Sequence, residues 1–423
     1  MPTRKTISVI AAWCLYDWAS ASFSIIVTTF IFATYFTTRV AENHITGTYQ
    51  WANAISLAGI IIAISGPLFG AIADYAGHHK RWLMFFTGIC AVSSALLWFA
   101  YPQPQSIYFT LACVVVGTIG FEVALVFYNA FLPSIAPASY IGRVSGWGWG
   151  SGYLGGIVAL SLALYWFLKT DISWLDKQTA AQIRICGPFV ALWYVIFALP
   201  LFVLAPTLSE ADRSLPQAVK LGVRELWRTL KKLPKEKNIL LYLISHMIYT
   251  DGLNTLFAFG GIYAAGTFGL TFEEVLMFGI TMNIAAGIGA VSLAWVDDLV
   301  GSKATVLISL VCLILFGLPV IMLHSKYAFW GAALFLCLFV GPVQSASRSM
   351  MARLIENKNT STEMFGLYAL SGKITAFMGP FLLGSTTYLF QSQRAGVATI
   401  LLFFAIGALL LLPVKLRGHK ETL

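Results

Sequence analysis

Five apolar runs constrain this chain more than any other feature. Residues 91–100, 107–116, 190–204, 306–323 and 399–412 contain no Asp, Glu, Lys or Arg. A bilayer's hydrocarbon core takes a helix of about 20 mainly apolar residues. In lipid such runs must be helical, because backbone amides find no water there. Composition supports the same reading: 58% of the 423 residues are hydrophobic and 11% are charged. A soluble domain carries about 25% charge, since its surface faces water. The mean hydropathy is +0.78.

Apolar length and turn signals predict twelve spans. They cover residues 9–38, 49–73, 81–101, 106–132, 143–168, 185–205, 239–267, 274–296, 303–323, 328–350, 364–390 and 395–414. The fold class expected is an all-α membrane protein of twelve transmembrane helices in two pseudo-repeated six-helix bundles. Residues 1–205 form the N-terminal bundle, 206–238 an irregular hydrophilic cytoplasmic linker, and 239–423 the C-terminal bundle. The first stretch follows Arg4 and Lys5 but is too long for a signal peptide and lacks a clear cleavage site, so it reads as a retained helix.

The net charge of +9 belongs to loops. With the N-terminus inside, twenty of the 27 Lys and Arg fall on the inner side, six on the outer side, and Lys373 within a span. That asymmetry places both termini and the linker in the cytoplasm of a cell whose inner membrane the chain crosses. No nucleic-acid role follows from charge so placed. The six cysteines lie in or beside apolar runs without a Cys-x-x-Cys pair, so they read as small buried hydrophobes, not a disulfide framework or metal site.

The halves repeat. Asp74-x-x-Gly77 follows span two, and Asp298-x-x-Gly301 follows span eight, 224 residues later. The same shift carries Gly142 to Gly366, Gly148 to Gly372 and Gly155 to Gly379. A constant offset across several spans indicates duplication, as in secondary transporters. Gly70-Ala-Ile-Ala-Asp74-Tyr-Ala-Gly77-His-His-Lys80-Arg81 resembles the loop signature of the major facilitator superfamily. Asp74, Arg81, Arg143, Asp298, Lys303 and Arg348 are expected to act in gating or inter-bundle contacts on the inner side. The plainer reading is a topology-setting turn with solvated charges.

Ionisable groups inside spans are costly and therefore informative. Asp17, Glu122, Asp251 and Lys373 lie in spans one, four, seven and eleven, near mid-membrane by helical rise. They are candidates for substrate binding or proton coupling, with Asn129, Tyr128, Asn254 and Gln344 as polar companions. For any one of them, a buried Asp–Lys pair that locks the bundles weighs about equally. Asn283 also reads as a cavity-side group. His246 is as readily a satisfied interior histidine as a relay. Trp13, Trp18, Trp147 and Trp149 either line a cavity or pack.

No catalytic motif is present. Gly366 to Lys373 falls short of a phosphate loop, because its spacing differs and Ile374 replaces the required Ser or Thr. The expectation is no enzyme, no cofactor, no metal and no catalytic residue.

Leu15-Tyr-Asp-Trp-Ala-Ser-Ala-Ser-Phe23, Phe127-Tyr-Asn-Ala-Phe-Leu-Pro133, Gly142-Arg-Val-Ser-Gly-Trp-Gly148 and Gly341-Pro-Val-Gln-Ser-Ala-Ser-Arg-Ser349 occur in this order. With Phe365-Gly-Leu-Tyr-Ala-Leu-Ser-Gly-Lys373 they resemble the "unknown major facilitator" family, which includes autophagy-related vacuolar effluxers of fungi. The resemblance implies a twelve-helix facilitator fold. For the fungal relatives it implies amino-acid efflux from the vacuole. The function expected is secondary active transport of a small organic solute by alternating access, coupled to protons, with amino acids or related metabolites as substrate. The chain is expected to act as a monomer in the lipid bilayer. The alternatives are an exporter or flippase of lipid or hydrophobic compounds, and a non-transporting membrane receptor.

Overall fold

The computed structural model describes residues 4–169, 175–208, 214–355 and 357–415. Arg213, Arg417 and Lys420 of the charge tally lie outside them. Twelve membrane-length elements follow the predicted order. The first half holds span one (Arg4–Ser22, continued by wide π turns through Val40), span two (His44–Ala76) and span three (His79–Leu96). It is completed by span four (Ile107–Ala130), span five (Ile141–Ala163) and span six (Cys186–Leu204). The second half holds span seven (Lys237–Phe268), span eight (Phe272–Ser292, extended by Ala294–Val300), span nine (Ser302–Met322) and span ten (Lys326–Leu354). Span twelve is Gln393–Leu411.

Ten of these elements are long and apolar enough to cross a membrane on composition alone. The other two are span seven, which carries Lys237, His246 and Asp251, and span eleven. Span eleven is two helices, Ser361–Lys373 and Met378–Phe390, with a turn between. Irregular backbone at that depth is tolerated only where protein or a wet cavity satisfies it.

Local signals set the ends. The Asn43 side chain accepts from Thr46 N–H to start span two. Thr271 and Glu274 form a reciprocal capping box at span eight. Gly77 (φ 72°) and Gly301 (φ 91°) end spans two and eight with positive φ, which costs a residue with a Cβ about 1 kcal/mol or more. The glycine of each Asp-x-x-Gly repeat is thus explained by the turn.

One expectation fails. The central linker is not irregular: Leu215–Lys232 is a helix. It starts after Ser214 with Pro216 in its first turn, where a missing N–H is no loss. Ala218 is fully buried against Ile72 and Ala76 of span two, and a Cβ at Gly222 would lie 2.8 Å from the Ile72 backbone. A polar composition hid a helix whose small residues recur at i and i+4.

The halves meet along glycine seams. Span two packs on span eleven, and span five on spans eight and ten. A Cβ at Gly70 would lie 2.5 Å from the Thr362 carbonyl, and one at Gly366 2.6 Å from Pro67 Cα. Added Cβ atoms at Gly142, Gly146 and Gly150 would strike Asp297, Ala294 and Val291 of span eight. Small residues at such spacing let helix backbones approach closely.

Candidate functional site

Two carboxylates close the face that bears the linker. Asp74, at the end of span two, accepts from the N–H groups of Thr362 (3.3 Å) and Glu363 (2.8 Å) in the first turn of span eleven. His79 Nε2 lies 2.9 Å from Oδ1, the oxygen that also accepts from Thr362. Asp298, at the end of span eight, accepts from the N–H groups of Gly142 (2.8 Å) and Arg143 (3.1 Å) in the first turn of span five. A helix N-terminus leaves four N–H groups unpaired and carries partial positive charge, so a carboxylate from the other half both caps and attracts it. The duplicated motif therefore makes two crossed latches between halves.

Their cations differ from expectation. Arg143 joins Asp298 through Nε (2.7 Å), and Arg353 reaches both Asp298 (3.1 Å) and Asp297 (2.5 Å). Asp297 is also bound by the hydroxyls of Ser302 and Ser349. The Arg81 side chain is exposed and takes no part in the Asp74 site. Lys303 Nζ donates to the Leu412 carbonyl within the second half. Arg348 lies on the same helix five residues before Arg353, about 7.5 Å further in from this face.

Arg348 projects from span ten into the first half. Nη1 donates to Asp17 (3.1 Å) and Asn129 (3.3 Å), Nε to the Ser145 hydroxyl (3.0 Å) and Nη2 to the Ser145 carbonyl (2.7 Å). Its guanidinium lies 4.6 Å from the Trp13 ring centre, 5.5 Å from Trp149 and 5.6 Å from Tyr128. Tyr128 donates to the same Asp17 oxygen (3.0 Å), and Trp13 Nε1 donates to the Tyr128 carbonyl. Every partner named belongs to spans one, four or five. The planar fork and the aromatic faces suit Arg and would not suit Lys. Arg348 shows 4% side-chain exposure and Asp17 14%, so this pair is enclosed. Nearby, Tyr153 of span five donates to Gln344 of span ten at 2.5 Å.

A second pair also crosses the halves. Lys373 Nζ lies 2.6 Å from Glu122 Oε1, with side-chain exposures of 33% and 18%. It is the more accessible of the two. Lys373 is the last residue before span eleven breaks. Asp251 of span seven meets the far side of that break: its Oδ2 accepts from Gly379 N–H at 3.1 Å in the first turn of Met378–Phe390. The residue is 1% exposed and its Oδ1 has no hydrogen-bond partner.

The predicted residues thus form three groups rather than one. Asp17, Tyr128 and Asn129 gather on Arg348, Glu122 pairs with Lys373, and Asp251 stands at the helix break. Asn254 is exposed on span seven, and Asn283 donates within its own helix to Gly279. His246 is satisfied by Ser371 at 2.7 Å and stacks on Tyr368 at 4.1 Å. Trp18 stacks on Trp193, and Trp147 meets Trp295 edge-on. Sequence reading missed Ser145, Tyr153 and Asp297, whose partners Arg348, Gln344 and Ser349 lie 203, 191 and 52 residues away. A cavity of about 490 Å³ lies elsewhere, between spans seven, eleven and twelve, lined by Phe259, Ile262, Leu383, Thr387, Tyr388 and Val397 among others.

The fold has known counterparts. The proton:xylose symporter XylE bound to 6-bromo-6-deoxy-D-glucose superposes with a TM-score of 0.77 over 99% of this chain and 98% of its own, at 12% identity. The transporter FucP in an outward conformation gives 0.72 over 97% and 100%, at 15% identity. Those likenesses concern the fold. In sequence, the uncharacterized MFS-type transporter YxiO of Bacillus subtilis (strain 168) is 26% identical over 403 residues, covering 95% of this chain and 93% of that protein. Autophagy-related protein 22 of Kluyveromyces lactis is 22% identical over 415 residues, covering 88% and 79%. The profile described as "Vacuole effluxer Atg22 like" matches residues 46–422. The chain belongs to the vacuole effluxer Atg22-like family, and it is a multi-pass membrane transporter of the major facilitator type rather than an enzyme.

Proposed function

We propose that the chain carries a small zwitterionic solute, an amino acid or a near relative, by alternating access coupled to protons. The observation that carries this reading is the Glu122–Lys373 pair, a partly accessible ion pair whose two members belong to different halves. A substrate carboxylate would take Lys373 and a substrate ammonium Glu122, so binding would exchange an inter-half contact for two substrate contacts. An ion pair so replaced loses little, because charges are re-paired rather than stranded. Residues 1–205 and 239–423 move as the two bodies, joined by 206–238. With the linker in the inner-membrane cytoplasm, as the Lys and Arg asymmetry favours, the Asp74 and Asp298 latches hold the cytoplasmic side shut and the state is outward-facing. Asp251 is the proton site in this scheme, since its carboxylate is buried with one oxygen unpaired and holds half of span eleven. The functional unit is a monomer.

Reconstituted protein and labelled amino acids test this. Lys373→Ala should abolish uptake, a loss of at least about a hundredfold if the charge contact is worth about 3 kcal/mol. Asp251→Asn should retain exchange of labelled for unlabelled substrate but lose stimulation by an inward proton gradient. Uptake unchanged in both variants would end this assignment.

A second reading draws on the cavity of about 490 Å³ between spans seven, eleven and twelve. Its aromatic and aliphatic side suits a hydrophobic compound or lipid, with Thr387, Gln391, Ser392 and Gln393 beside it for a polar group. Leu383→Trp should then block export of such a compound while leaving amino-acid uptake intact.

A further inference from the structure

The linker helix Leu215–Lys232 presents three stripes. Ala218 and Gly222 seat it on span two, about one turn in from that span's end at Ala76. On the same side Thr229 hydrogen-bonds the Glu363 side chain, next to the Asp74 latch. A second stripe, Val219, Val223, Trp227 and Leu230, is apolar yet 38–60% exposed. The third is basic: Lys220, Arg224, Arg228 and Lys231, with Lys232 beside it, all exposed. Residues 214–238 hold seven Lys or Arg against Glu225 and Glu236. Glu225 is taken by Arg228 at 3.0 Å, and Lys231 lies over the Trp227 ring at 5.1 Å.

A soluble surface helix turns its apolar side inward. This one turns Ala218 and Gly222 inward, keeps Leu221 and Leu226 half-buried, and leaves Val219, Val223, Trp227 and Leu230 out. Such a helix, with Trp and Leu on one face and Lys and Arg on the next, lies in the headgroup layer of a bilayer. Its seat on the last turn of a membrane span sets it at that depth. Basic residues near the surface each gain about 1 kcal/mol from anionic lipid.

We propose that the linker helix is a docking surface for anionic phospholipid headgroups of the leaflet on its own face, with Val219, Val223, Trp227 and Leu230 dipping into the acyl boundary and Lys220, Arg224, Lys231 and Lys232 holding the phosphates. The occupant is the bilayer and not a soluble protein, because the apolar stripe adjoins the seat on span two and the basic stripe lies beside it. The surface does not depend on which solute the protein carries, and its test needs no transport.

The experiment uses the full chain with Val223→Cys carrying an environment-sensitive fluorophore, in nanodiscs of phosphatidylcholine alone or mixed with phosphatidylglycerol. The chain without Val223→Cys, treated alike, gives the background from its native cysteines. In mixed discs the emission shifts to the blue and is quenched by a nitroxide near the top of the acyl chain. Raising salt reverses the shift, because exposed charges are screened. Lys220→Gln, Arg224→Gln, Lys231→Gln and Lys232→Gln together also reverse it, and each removed cation lowers retained anionic lipid by roughly fivefold. The salt series tests the same point on the unaltered basic stripe, should the combined variant fold poorly. Emission equal in both discs and at all salt concentrations overturns the proposal. So does absence of quenching in both, which would mean that water or a soluble partner covers the stripe.

Discussion

Asp74 and Asp298 stand at the same place in the two halves, and each caps the first turn of a helix from the other half. Their surroundings differ. Asp298 also carries two guanidinium groups, from Arg143 and Arg353, one from each half. Asp74 has one imidazole from its own half, His79, and otherwise only backbone N–H groups. Duplication kept the geometry and let the charge diverge. One latch is a salt-bridge cluster and the other a helix cap, so breaking them should have unequal consequences.

The largest effect is expected for Asp298→Ala. It leaves Arg143 without its carboxylate and Arg353 on Asp297 alone, and losing one partner of a buried pair costs about 3–5 kcal/mol. Spin labels at exposed Ser139 and Leu299 would report a longer distance, with a lower unfolding temperature in detergent. Asp74→Ala removes a cap and should cost about 1–2 kcal/mol. Labels at Arg81 and Asn359 would read it, and the label at Arg81 is harmless because that side chain stands outside the latch. Equal opening of the two latches would mean that the arginines add nothing and the caps carry both. The smallest effect is expected for His79→Gln, which keeps a donor for Asp74 and should stay within about 1 kcal/mol. A large effect there would show that a charged imidazole does for Asp74 what the arginines do for Asp298.

Much of this was readable in advance. Twelve spans appear near their predicted places because bilayer thickness fixes helix length. Asp74 and Asp298 were visible through their repeat, and the φ of Gly77 and Gly301 gives its glycine a cause. Their acceptor role toward Thr362, Glu363, Gly142 and Arg143 was not, since backbone N–H groups leave no mark in a sequence. Arg348 was expected in an inter-bundle contact and makes one, but its partners Asp17 and Asn129, 331 and 219 residues away, could not be named from the sequence. The break after Lys373 was hidden in an apolar run, although Pro380, in the first turn of Met378–Phe390, marks it by giving the Ala376 carbonyl no N–H. The linker helix left a usable signal, the Ala218 and Gly222 spacing, that its polarity masked.

The glycine seam on span five has a mechanical consequence. Where Gly142, Gly146 and Gly150 lie against span eight, few bulky knobs mesh with holes on the other side. In the alternating access proposed above, the two halves shear there as smooth bearing surfaces do, without lifting side chains out of grooves. Resistance to rocking then resides in the polar catches, at the linker face and at mid-membrane. A single methyl added to the seam would act as a wedge: it would jam the bearing without touching any charge.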